Sequence, residues 1–178
     1  QLFDYARTLV RAAAELQKPN EQRLPEYSDA NLPALRARLF SEAPIYPQLE
    51  EVQLVYSLTK LREALGTDHP IVQRVLGEDS PESLAAQLAG SKLADPKERR
   101  RLFEGGAKAI ANSKDPMIAL ARRVDPDARA VRARYEAEVD AVERRAGEQI
   151  AQARFAAFGT EVYPDATFTL RLSYGAVE

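Results

Sequence analysis

Apolar residues recur at the three- and four-residue steps of α-helices along most of this chain and switch to strict alternation only near its end. Leu2, Ala6, Leu9, Ala13 and Leu16 share one face of a first helix, which Lys18-Pro19-Asn20 ends. A second, short helix is expected from Ala30 to Phe40, with Leu32, Leu35 and Leu39 on one side. Pro44 and Pro47 punctuate the approach to a third, Leu49 to Leu65. Its two stripes, Leu49-Val52-Tyr56 and Leu54-Leu58-Leu61-Leu65, are wide enough to touch neighbours on two sides, so it is expected to be central.

Four later helices are expected to start at Ser80-Pro81, Asp95-Pro96, Asp115-Pro116 and Asp125-Pro126, with Asp68-His69-Pro70 as a fifth. In each the side-chain acceptor satisfies free backbone N–H groups, and proline lacks the N–H that would be orphaned there. Gly66, Gly77, Gly90, Gly105-Gly106 and Gly159 fall at the expected helix ends, as left-handed caps would.

The last helix is expected from Pro126 to Phe158, with Ala128, Val131, Tyr135, Val139, Val142, Ala146, Ile150, Ala153 and Ala157 in one stripe. Their spacing averages about 3.6 residues, the repeat of a straight packed helix and not of a left-handed coiled coil. Tyr135, Val139 and Val142 are expected to bury against Leu54, Leu58 and Leu61. After Gly159, Phe168, Leu170 and Leu172 alternate with Thr167, Thr169, Arg171 and Ser173, which predicts a strand over 167–173. The expected fold class is therefore all-α: a multi-helix cap domain over 1–160, with one very long C-terminal helix, and a single returning strand within 161–178. A lone strand needs a sheet from elsewhere. Gln1 lies inside an amphipathic pattern and Val177-Glu178 inside the strand pattern, so both ends are expected to be cut from a longer protein.

Composition narrows the chemistry. With 45% hydrophobic and 29% charged residues the chain fits a globular class, and no run of about 18 apolar residues suggests a membrane span. Lys and Arg number 25 against 27 Asp and Glu, a net charge of −2 that argues against a basic nucleic-acid face. There is no cysteine and one histidine, His69, which removes thiol catalysis, thiolate metal sites and His-rich metal sites. No Gly-x-Ser-x-Gly elbow occurs. His69 reads as a helix-start residue, Arg99-Arg100-Arg101 as a solvated helix end paired with Asp95 and Glu98, and Glu50-Glu51 as charge complementing a helix dipole. Glu136, Glu138, Asp140, Glu143, Arg144 and Arg145 read as a wet helix face. No catalytic residue, substrate-binding residue, metal ligand or cofactor is assigned from these patterns.

The run YPDATFTLRLSYG at 163–175 closely resembles a signature of bacterial serine dipeptidyl peptidases, serine peptidase family 46. So do APIYPQLE at 43–50, LGTDHP at 65–70, KLADP at 92–96, FEGGAKAI at 103–110, SKDPMIALARRVDP at 113–126 and ARFAAFGTEVYPDA at 153–166. They occur in order along nearly the whole chain. The resemblance implies a periplasmic or exported enzyme that removes dipeptides from peptide N-termini, in which a helical lid covers the cleft of a chymotrypsin-like double β-barrel. This chain would be most of that lid plus the strand returning to a barrel it lacks. Its partner would be a peptide substrate met through the missing catalytic domain, with neither nucleic acid nor a membrane span, and with a homodimer possible in the intact enzyme. No triad residue maps here, so the chain alone is expected to be inactive. A noncatalytic helical interaction module is the rival reading.

Overall fold

The computed structural model describes residues 1–159 and residue 175, and within them the fold is all-α. The expected strand over 167–173 lies outside the described residues. The helices are α1 (Leu2–Glu15), α2 (Leu32–Leu39), α3 (Pro47–Leu65), α4 (Pro70–Leu76), α5 (Pro81–Ala89), α6 (Pro96–Glu104), α7 (Gly106–Asn112), α8 (Pro116–Tyr135) and α9 (Ala141–Phe158). Short 3₁₀ turns occupy Asn20–Gln22, Pro25–Tyr27 and Lys92–Ala94. Two units emerge, residues 1–130 and residues from 131 onward.

The cap chemistry places four of the five helix starts read from these signals, His69 among them. Ser80 accepts the Ser83 N–H at 3.1 Å, Asp95 the Lys97 N–H at 2.8 Å, and Asp115 the Met117 and Ile118 N–H groups at 2.9 and 3.2 Å. The exception is Asp125-Pro126, which starts nothing: Pro126 lies inside α8. An interior proline forfeits one helical hydrogen bond and costs about 3 kcal/mol, so tertiary contacts must hold this helix through it. They do, because the Asp125 carboxylate turns to Arg11 and Arg129 instead of capping. The long helix thus begins ten residues earlier than the stripe suggests, and its backbone stays helical through a π-turn at Glu136–Asp140 into α9.

The glycines divide. Gly66, Gly77, Gly106 and Gly159 have positive φ, whereas Gly90 and Gly105 do not, so these two are not left-handed caps. At Gly105 the constraint is proximity: a Cβ there would stand 2.5 Å from Ala109 Cβ.

The core of the first unit gathers around α1, whose Leu2, Ala6 and Leu9 are almost wholly buried with Leu93, Leu102, Met117 and Ile118. The helix expected to be central, α3, lies at the edge instead. Only Glu50 and Leu58 of it are buried; Leu54, Val55 and Leu61 pack partly against the core, and α3 rests mainly on α5. Glu50 does not serve the α3 dipole alone, for its carboxylate accepts the Leu2 N–H at 2.9 Å and so caps α1 from across the chain.

Arg99 is the largest departure from the sequence reading. It is 0% exposed, not solvated, and donates to Leu39 O and Leu93 O at 2.6 Å, to Ala94 O at 3.1 Å, and to Ser41 O. The Tyr5 ring faces its guanidinium at 4.3 Å. It lies three positions before Leu102, on the buried face of α6, and that phase decides its fate over the charges beside it in sequence. Arg101 behaves as expected, clamping Glu98 through Nε at 2.8 Å and Nη2 at 2.7 Å. Arg100 lies over the Phe40 ring at 4.3 Å.

A second charged cluster joins α1 to α8. Arg11 Nε meets Asp125 at 2.6 Å, and Arg129 bridges Asp125 and Glu15, each at 2.6 Å. Glu15 also accepts from Lys18 and from the Leu24 N–H. Burial pushes the Glu15 carboxyl up, but the hydrogen bonds from Lys18, Leu24 and Arg129 outweigh it and hold its pKa at about 2. A carboxylate depressed in the folded state adds stability that is complete above its unfolded pKa near 4.5 and is lost as pH falls from there toward 2. Glu15→Gln should therefore lower the melting temperature at pH 7 and flatten its decline between pH 4.5 and 2, read by circular dichroism melts across that range. Parallel declines for both proteins would contradict the assignment.

Candidate functional site

His69 Nδ1 accepts the Ile71 N–H at 3.2 Å and caps α4, as its position before Pro70 suggested. That lone pair is engaged, and among the described residues no serine hydroxyl is hydrogen-bonded to it. Ser91, the buried serine, donates to Asp115 at 3.0 Å and accepts the Leu93 N–H at 3.2 Å, joining two helix starts. Among the described residues no three His, Asp or Glu side chains gather as a metal cluster would. No helix there is long and apolar enough to cross a membrane.

What the first unit presents instead is a surface. Along α3 the outward stripe is bare: Leu49, Val52 and Tyr56 are exposed, Val52 and Tyr56 by about two thirds (66% and 65%), and Tyr46 just before the helix is exposed as well. A shallow hollow of about 430 Å³ opens on this face, lined by Glu51, Val52, Val55, Tyr56 and Thr59. The two-sided stripe read from the sequence is real, but only its Leu54-Leu58-Leu61 side is covered. Apolar surface gains about 25 cal/mol per Å² when removed from water, so a face of several large side chains left bare is a docking candidate.

The second unit shows the same feature. Tyr135, Val139 and Val142 were expected to bury against α3; all three are exposed, as are Val131, Ile150, Phe155 and Phe158. The stripe is helical as read, but spacing reveals only which residues share a face, not what covers it. The same stretch carries the expected wet ion pairs: Arg132 with Glu136, Arg134 with Glu138, and Arg144 with Asp140.

A family model for peptidase S46 matches residues 1–178. The chain belongs to the peptidase S46 family, in accord with the ordered motif runs quoted above, and the function class is that of a peptidase acting on peptides.

The bare face of α3 makes a contrast that stability measurements resolve. Val52→Asp and Tyr56→Ser should each change the unfolding free energy by less than about 0.5 kcal/mol. Leu58→Ala, one turn away on the covered side, should cost about 2–5 kcal/mol. Chemical denaturation of the three variants checks this; equal losses at Val52 and Leu58 would mean the outward stripe is covered.

Proposed function

We propose that this chain is the helical lid of a serine-type dipeptidyl aminopeptidase, gating the cleft and filtering substrates by length, while the serine, histidine and aspartate that cleave the bond lie in parts of the enzyme beyond it. The observation that carries this reading is the pairing of family membership with bare apolar helix faces. His69 is engaged as a cap and Ser91 as a structural hydroxyl, which supports a role of shape and exclusion. A rigid wall narrowing a cleft admits an extended peptide end and turns away folded protein. Release of a dipeptide also demands that the substrate be held in register, and a wall that fixes the approaching chain contributes to that positioning. An exported or periplasmic location and a dimeric intact enzyme follow from the same family reading.

Two measurements on one substrate series test it. The purified 178-residue chain should release no chromophore from dipeptidyl substrates. The intact enzyme should do so, and Val52→Asp together with Tyr56→Asp in it should raise turnover of long or bulky peptides relative to short ones. Serine-inhibitor-sensitive release by the 178-residue chain would overturn the first expectation. A length profile unchanged by the α3 variants would favour the rival reading, a noncatalytic helical interaction module.

A further inference from the structure

A polar hollow of about 270 Å³ lies where the end of α5, α6 and the α7–α8 connection meet. Both carboxylates in its lining are already engaged. Asp115 is buried and accepts from the Ser91 hydroxyl at 3.0 Å and from the N–H groups of Lys92, Met117 and Ile118 at 2.8, 2.9 and 3.2 Å. Glu98 takes the two-pronged clamp of Arg101. The donors are another matter. Lys92 and Lys114 also line the hollow, both exposed, and neither ammonium makes a hydrogen bond or ion pair with any described residue. The Lys92 charge does help keep Glu98 ionised from a distance. Ser113 Oγ accepts the Asp115 N–H at 3.3 Å, which leaves its own hydrogen to donate.

The lining therefore holds three cations against two anions, with every anionic oxygen engaged and two ammonium groups unspent. Such a hollow rejects a further cation and favours an anion. At this volume it lies just below the range of about 300–1,000 Å³ typical of whole-ligand sites, which suits one charged group on a longer chain.

We propose that this hollow binds a carboxylate of a peptide through Lys92, Lys114 and the Ser113 hydroxyl. The inference rests on the peptidase reading, since a peptide offers carboxylates from two sources: its C-terminus and its Asp or Glu side chains. Binding here would favour peptides that carry such a carboxylate.

The test is a binding titration needing no hydrolysis, so it stands apart from the peptidase assays above. The full chain is titrated with acetyl-Ala-Ala-Ala bearing a free C-terminus, with acetyl-Ala-Ala-Asp-amide, with acetyl-Ala-Ala-Asn-amide and with inorganic phosphate, following the backbone amide resonances of Lys92, Ser113 and Lys114. The acetyl group removes the α-ammonium, so a site for the substrate's amino end does not contribute. Saturable shifts are expected with one or both carboxylate peptides and not with the Asn-amide peptide, and which of the two binds identifies the source. Affinity should fall at least tenfold in Lys92→Met/Lys114→Met, whose melting curve should match the parent's, and should weaken at high salt. Equal shifts from the Asn-amide peptide, shifts with phosphate alone, no shift with either carboxylate peptide, or unchanged affinity in the double variant would each overturn the proposal.

Discussion

A single buried guanidinium sets the geometry on which the first unit depends. Arg99 enters the core without a carboxylate partner and is satisfied by four backbone carbonyls, two at the end of α2 and two in the turn at Lys92–Ala94. Burying a charge costs several kcal/mol unless its donors are used, and charged hydrogen bonds return about 1.5–3 kcal/mol each, so the site is stable only when all the carbonyls converge. The planar fork of arginine matches that convergence in a way a lysine cannot. Tyr5 stacks on the remaining face and brings α1 into register with α6.

From α1 the constraint passes outward in two directions. At its N-terminus Glu50 ties down α3 by capping Leu2. At its C-terminus Glu15, Arg129, Asp125 and Arg11 form a chain of alternating charges that holds α8 through an interior proline. Both ends of α1 are thus fixed by charged groups reaching from distant sequence, while its middle is fixed by packing. The result is a unit whose α3 stripe faces out uncovered.

Local chemistry was legible in the sequence where a residue acts on its own neighbourhood. The caps at Ser80, Asp95 and Asp115, the His69 cap and the helical spacing all rest on contacts within three residues, which sequence displays directly. Asp125-Pro126 carries the same dipeptide signature yet lies mid-helix, because two arginines, one of them from α1, compete for its carboxylate. Arg99 was hidden for a related reason: its neighbours Asp95 and Glu98 suggest surface pairing, and only its phase relative to Leu102 marks it as buried. The stripes of α3 and of the long helix are apolar faces, as their spacing indicates, but periodicity is silent about partners, and Tyr135, Val139 and Val142 are exposed. The hollow beside Lys92 and Lys114 had no sequence signal, since its residues come from three separated segments.

Membership in the peptidase S46 family gives those bare faces a context. If this chain is a lid, its apolar stripes are surfaces shaped by the rest of the enzyme and by the substrate. The most direct measurement is hydroxyl-radical footprinting of Tyr56, Tyr135 and Phe155 in the intact peptidase and in the 178-residue chain. The account predicts that all three react freely in the isolated chain and are several-fold protected in the intact enzyme; equal reactivity in both would contradict it.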